Sequence, residues 1–214
     1  MNRRTLPVAV AAAATALLLT SCGGGSGKAD DKIAGADGSS APSSASPSAS
    51  PSDTAGRPKV TLPADVKNEF EGWPTGDAVK DAILTDVSHR INATDAAIVS
   101  DETESPALPF YYQRDALVGA SKWVADYKKD GKSITGTTRF FGPRVEVLNE
   151  KSATVTYCSD ESKAFNKDRK TGKVDESASS NPYVRYNTRL DRNDKGIWQT
   201  TKLESKRGDK TCAP

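Results

Sequence analysis

Apolar side chains fall into three regimes along the 214-residue chain. From Val8 to Leu19 they run almost without interruption for about a dozen residues. From Gly23 to about Pro58 they nearly vanish, Ile33 being the one large apolar side chain there. From Lys59 onward they recur periodically, first with a repeat near four and then with a repeat of two.

The repeat near four predicts helices. Thr75-Gly76-Asp77 reads as a helix entry, with Thr75 able to cap and Asp77 in a first turn that favours negative charge. Val79, Ile83, Val87 and Ile91 then share a face, joined by Ala82 and Leu84, so an amphipathic helix is expected to about Asn92, with room to continue through Ile98. A second helix is expected from about Leu108 to Lys129, striped by Phe110, Leu117, Val124 and Tyr127, with Trp123 at its flank and Gly131 placed to close it. From Ser133 the period changes to two. Ser133 to Phe141 reads as a strand broken by Gly142-Pro143; Arg144 to Leu148 alternates again. Ala153, Val155 and Tyr157 then share one strand face, which sends Cys158 to the other. Ser159 to Asn181 offers little to bury and reads as a polar connection. Val184, Tyr186 and Leu190 mark a further strand, and Ile197 to Glu204 a final one after a turn at Asp191 to Gly196. Helices followed by an antiparallel meander of four to five strands make an α+β fold, with the N-terminal helices packed on a curved sheet.

The first apolar run has a basic head, Arg3-Arg4, and is too short to cross about 30 Å of hydrocarbon, which is the layout of a signal peptide. Its end, Leu19-Thr20-Ser21-Cys22, resembles the lipobox of bacterial lipoproteins. The resemblance implies cleavage behind Ser21 and a diacylglyceryl group on Cys22, which would hold the chain to the extracytoplasmic face of the cell membrane; two acyl chains anchor where one is marginal. The alternative is an ordinary secreted protein cut nearby. Residues 22–58 are then expected to form a disordered Gly/Ala/Ser/Pro tether, poor in anything to bury. Its r.m.s. reach is about 30 to 35 Å. Residues 59–214 are expected to be one domain, behind a signal peptide of residues 1–21.

Charge changes the picture only by exclusion. The chain holds 30 Lys and Arg against 28 Asp and Glu. Residues 59–108 carry 4 basic and 10 acidic side chains and residues 109–214 carry 21 and 14, an asymmetry that could mark a binding face. A near-neutral domain outside the cytoplasm speaks against nucleic acid as partner.

The order of elements resembles the NTF2-like, cystatin-related folds, in which a strongly curved antiparallel sheet wraps a long helix. It also looks like the small lipoproteins of actinobacteria. The residues that carry this are the lipobox and tether, GASKWV at 119–124, TVTYCSDES at 154–162, DRKTGK at 168–173, YNTRL at 186–190 and WQTT at 198–201. Fuller members place a strand pair between their second and third helices, and there is no room for one between Ile98 and Leu108. The resemblance implies a pocket between helix and sheet, where relatives such as ketosteroid isomerase use a carboxylate base and tyrosine donors. Trp73, Tyr111, Trp123, Tyr127, Tyr157, Tyr186 and Trp198, with Tyr112 and Phe140, are the aromatics that could line it, or simply fill a core. The inward strand positions offer no carboxylate; Glu146 is the nearest, on the less apolar face.

With Cys22 assigned to lipid, Cys158 and Cys212 remain as an even pair in an oxidising compartment, which points to a disulfide tying the C-terminal tail to the strand of Tyr157; free thiols are the alternative. His89, the one histidine, is expected on the solvent side of the first helix within an Asp86 to Arg90 pair. With one histidine, no Cys-x-x-Cys, no Gly-x-Ser-x-Gly and no phosphate loop, neither a metal site nor a cofactor is expected. Lys163, Lys167, Arg169, Lys170 and Lys173 form a basic loop that could attract an anionic partner, or be a solvated hairpin. The expected role is a lipid-anchored binding or interaction module without catalytic activity, its partners the membrane and an envelope protein or small apolar ligand. The alternatives are a small-molecule enzyme or carrier using the pocket, and an accessory subunit of a membrane complex.

Overall fold

The computed structural model describes residues 56–213 except 101, 103, 178 and 179; the leader, Cys22 and nearly all of the tether lie outside the described residues. The element order is β1 (Val66–Glu71), α1 (Ala78–Val99), α2 (Ala107–Tyr111), α3 (Arg114–Lys129), β2 (Lys132–Asn149), β3 (Ser152–Asp168), β4 (Val174–Asp175), β5 (Tyr183–Arg192) and β6 (Trp198–Arg207). The strands form one six-stranded sheet in the order β1-β2-β3-β5-β6, with the short β4 on β3. The helices pack on one face of it, so the α+β expectation holds.

Four differences from the sequence reading have physical causes. First, β1 is an additional strand, and it pairs with β2 in parallel, Val66 opposite Gly136 through Glu71 opposite Phe141. The three helices form the crossover that parallel pairing requires. Second, Arg144 continues the strand that Gly142-Pro143 was expected to break. The sheet absorbs the interruption as a register shift between Phe141 and Arg144, and similar shifts follow Thr137 and Val147, bending β2 along its length. Third, β3 runs on to Asp168, through the first half of the stretch read as a polar connection. Fourth, the second helix is broken: Tyr112 and Gln113 are extended and bond to the last strand, with the Gln113 N–H donating to Thr200 O at 2.9 Å.

Helix α1 opens on Asp77, whose side chain accepts from the Val79 and Lys80 N–H groups. Thr75 sits outside the helix, donating through both its N–H and its hydroxyl to Asp81 in the first turn. The helix buries two faces. Ile83, Leu84, Val87 and Ile91 meet Trp73, Phe140, Val155, Tyr157, Leu190 and Trp198 in the main core against the sheet. Ala97 and Ile98 meet Leu108, Tyr112, Ala116, Ala120 and Val124 on the helical side. Val79, read as part of the core stripe, is half exposed at the helix start.

Gly136 is required by its place in the sheet. It has φ of +94°, and a Cβ there would sit 2.1 Å from the Lys163 carbonyl oxygen. Its N–H donates to Asp65 O, starting the parallel ladder.

Candidate functional site

Along the helix-facing side of the sheet, the core is apolar at one end and polar at the other. On β3 the inward row runs Ala153, Val155, Tyr157, Ser159 and Glu161, and on β5 it runs Leu190, Thr188, Tyr186 and Val184. Past Tyr157 and Tyr186, whose rings stack at 4.9 Å, carboxylates and amides replace aliphatic groups. Glu161 accepts from Ser159 Oγ at 3.2 Å and from Arg207 Nη2 at 2.5 Å, with Tyr186 Oη 3.4 Å from it. From α1, Asp95 accepts from Asn68 Nδ2 of β1 at 2.6 Å, and the same amide donates to Asn92 Oδ1 at 3.0 Å. From α3, Tyr127 Oη donates to Asn166 Oδ1 at 3.1 Å. Asp95, Glu161, Tyr127 and Tyr186 are all half-buried. Four elements thus bring acceptors and phenols to one half-buried polar end, or mouth, of the interior between helices and sheet.

Electrostatics at this mouth follow from burial. Burial raises the Asp95 carboxyl to about 6, and the negative charge of Glu161 adds to the rise while the Asn68 bond opposes it. Burial and Glu161 likewise raise both Tyr127 and Tyr186. Between an ordinary carboxylate value near 4 and about 6, the folded protein keeps a proton that the unfolded chain has lost. This contribution to stability is therefore full below about pH 4 and is lost as pH rises through 6. Asp95→Asn is expected to remove this component, on the order of 2 kcal/mol. Melting curves at pH 5 and pH 8 check it: the variant gains several degrees over wild type at pH 8, and an unchanged pH dependence would contradict the assignment.

The aromatics named from sequence do not share one lining. Trp73, Tyr157 and Trp198 lie in the main core with Tyr186 packed against them; Tyr111 belongs to a separate cluster with Ala93, Ala107 and Ile197. Trp123 is 54% exposed on α3, its ring edge-on to Tyr127. Only Tyr127 and Tyr186 reach the polar mouth. Glu146 is exposed on β2. The carboxylates at this polar end, Asp95 and Glu161, lie where the sequence was read as a possible helix extension and as a polar connection. The alternation of Tyr157, Ser159 and Glu161 was the signal that could have found the second.

His89 is half-buried, with its ring 5.9 Å from that of Tyr111, and no Asp86 to Arg90 pair surrounds it. Both members of that expected pair are buried and bond elsewhere. Asp86 takes Arg57 on one oxygen, with Nη2 at 2.6 Å, and the Trp198 N–H on the other at 2.9 Å. Arg90 donates to the hydroxyls of Tyr112 and Tyr157.

The basic stretch divides by position. Arg169 donates to the carbonyls of Ile98, Val99 and Ser100 at the end of α1, a cation set against the negative pole of the helix, and to Lys132 O. Lys167 pairs with Asp65 at 2.6 Å. Lys163, Lys170 and Lys173 are exposed. Cys158 and Cys212 are joined, with Cα atoms 5.6 Å apart. In the chain-entropy model a closed loop of this size is worth about 4 kcal/mol. The tail it secures is further held by a turn in which Thr211 donates twice to Asp209, keeping that carboxyl down at about 2. Two shallow surface depressions lie elsewhere: one of about 300 Å³ on the opposite sheet face around Thr156, Asn187 and Lys202, and one of about 350 Å³ beside the tail at Tyr183 and Asp209.

No family model matches the chain, and no curated protein matches its sequence. Solved structures with a similar arrangement are known. A ketosteroid isomerase-like protein of Erwinia carotovora atroseptica is 14% identical over 59% of this chain and 93% of its own, with a TM-score of 0.42. A protein of Catenulispora acidiphila is 10% identical over 64% of this chain and 100% of its own, also at 0.42. The intermembrane-space region of a chloroplast protein is 14% identical over 57% of this chain and 91% of its own, at 0.37. At such scores the likeness says nothing of what this chain binds or does.

Proposed function

We propose that the protein is a lipid-anchored, extracytoplasmic binding module that takes a small molecule at the polar mouth between its helices and sheet and performs no chemistry on it. The observation that carries the reading is the convergence of Asp95, Glu161, Tyr127 and Tyr186, from α1, α3, β3 and β5, on one half-buried end of the interior, beyond the apolar core. Ligand sites combine apolar walls with a few fixed polar groups in this way. The carboxylates are occupied by protein donors, Asn68 on Asp95 and Arg207 with Ser159 on Glu161, which suits orientation of a guest. The address rests on the signal-peptide layout and the lipobox at Cys22, and the Cys158 to Cys212 disulfide is consistent with an oxidising compartment.

One observation favours the enzyme alternative: a carboxyl titrating near 6 is suited to proton transfer close to neutral pH. Turnover abolished in Asp95→Asn while binding persists would be its signature. The binding reading itself is tested by asking whether the full-length protein, released from its own membrane, retains a small molecule that mouth variants lose.

A further inference from the structure

The sheet face turned away from the helices carries a pattern of its own. Strands β3, β5 and β6 set their outward side chains in three rows: Thr154, Arg189 and Lys202; Thr156, Asn187 and Glu204; Cys158, Arg185 and Lys206. Those nine positions hold four cations and one carboxylate. The chain as a whole is nearly balanced, with 30 Lys and Arg against 28 Asp and Glu, so the excess is local. β2 extends two of the rows, with Arg144 opposite Thr156 and Glu146 opposite Thr154.

Two of the cross-strand pairs work against the fold. Like charges directly opposite one another destabilise a sheet, yet Arg185 faces Lys206 and Arg189 faces Lys202 on the same side of the same two strands. The neutralising contacts run sideways along the chain instead. Lys202 meets Glu204 at 2.8 Å, Lys206 meets Asp209 at 3.4 Å, and Arg189 meets Ser152 Oγ at 2.7 Å and Asp191 at 3.7 Å. Arg144 and Arg185 make no ion pair among the described residues. Exposed pairs of this kind hold weakly and exchange readily for a better partner.

Beside the Arg189 and Lys202 row the surface is concave. The depression of about 300 Å³ is lined there by Thr154, Thr156, Asn187, Arg189, Lys202 and Glu204. Its donors outnumber its acceptors. Thr156 Oγ1 donates to Asn187 Oδ1 at 3.1 Å, which leaves both amide protons of Asn187 to give. The one carboxylate of the lining, Glu204, is already held by Lys202. The field measures about 13 Å along β5 from Arg185 to Arg189 and about 14 Å across from β2 to β6, the size of a run of several charged units and not of a single small anion.

We propose that this outer sheet face docks a linear anionic polysaccharide, whose carboxylates meet Arg144, Arg185, Arg189, Lys202 and Lys206 and whose hydroxyls meet Asn187 and Thr154. Arginine forks match carboxylates, and the amide and hydroxyl match an uncharged sugar edge. Polymers of this kind are met outside the cytoplasm, the compartment with which the disulfide is consistent. Other occupants fit less well. A second copy of the chain on a two-fold axis would set this excess of cations against itself. A bilayer surface is flat and would leave the depression unfilled. A nucleic acid would find no ring in these rows to stack on. The face lies across the sheet from the polar mouth and does not depend on what binds there.

The test is a calorimetric titration of the full-length protein with polygalacturonate, beside neutral dextran, duplex DNA and anionic phospholipid vesicles. Wild type is expected to bind the polyuronate saturably and dextran not at all, with affinity that falls as salt screens the contact. A triple variant, Arg144→Gln, Lys202→Gln and Lys206→Gln, should fold as wild type does because all three side chains are exposed, and should bind the polyuronate about tenfold more weakly. Glu204→Gln removes the central carboxylate and should bind it more tightly. A second triple, Lys129→Gln, Lys170→Gln and Lys173→Gln, lowers net charge equally at exposed positions elsewhere and should bind like wild type. Equal binding of dextran, weakening shared by both triples, or a first triple that loses DNA or vesicles but not the polysaccharide would each overturn the proposal. So would a wild-type dimer that the first triple dissociates.

Discussion

Asp86→Ala is expected to destabilise the folded domain by about 3 to 5 kcal/mol, a large part of the 5 to 15 kcal/mol that holds a typical domain together. The carboxylate is 1% exposed and joins three distant parts of the chain: α1, which carries it, the N-terminal segment through Arg57, and the start of β6 through the Trp198 N–H. Alanine would leave a guanidinium with little exposure and a buried amide without their acceptor, and an unmade bond to a buried group costs its full desolvation. Asp86→Asn retains an acceptor oxygen and should lose less. Urea unfolding of the two variants beside wild type measures both, and a loss below about 1 kcal/mol in Asp86→Ala would mean that the contact does not organise the fold.

The other large effect concerns location. Wild-type protein is expected to sediment with the membrane and Cys22→Ala to appear released or unprocessed, because two acyl chains at about 0.8 kcal/mol per methylene are what hold the chain there. Fractionation followed by immunodetection reads the outcome. Membrane retention unchanged in Cys22→Ala would remove the anchor from the proposal and leave the domain as an ordinary exported one.

The same residues show what could be seen in the sequence and what could not. The stripe of Ile83, Val87 and Ile91 was legible because a solvent-facing helix buries one face at a fixed spacing. The second buried face was not, since Asp86 and Arg90 four residues apart look like a solvated ion pair. Only partners 22 to 112 residues away in sequence, Arg57, Tyr112, Tyr157 and Trp198, make them interior. The parity of Cys158 against Tyr157 was legible, and the pair with Cys212 followed from the even count left once Cys22 was assigned to lipid. The strand β1 was hidden for a different reason: Val66, Asn68 and Phe70 do alternate, but its parallel partner lies some seventy residues on, and local pattern carries no trace of such pairing. The polar end of β3 was misread because its inward row is polar although enclosed: Ser159 is fully buried and Glu161 half-buried, and both are satisfied by hydrogen bonds to each other and to Arg207 instead of by apolar contact. Arg169 was misread as a surface charge because the carbonyls it caps belong to a helix that ends seventy residues earlier.

The most direct test of the binding role is native mass spectrometry of the full-length protein released from its own membrane in mild detergent. A binding module whose site is the polar mouth predicts a small molecule held one to one by wild type, and lost or weakened in both Tyr186→Ala and Glu161→Gln. Wild type at its ligand-free mass, with no extract of the same envelope raising its Tm, or a bound molecule held equally by both variants, would contradict it.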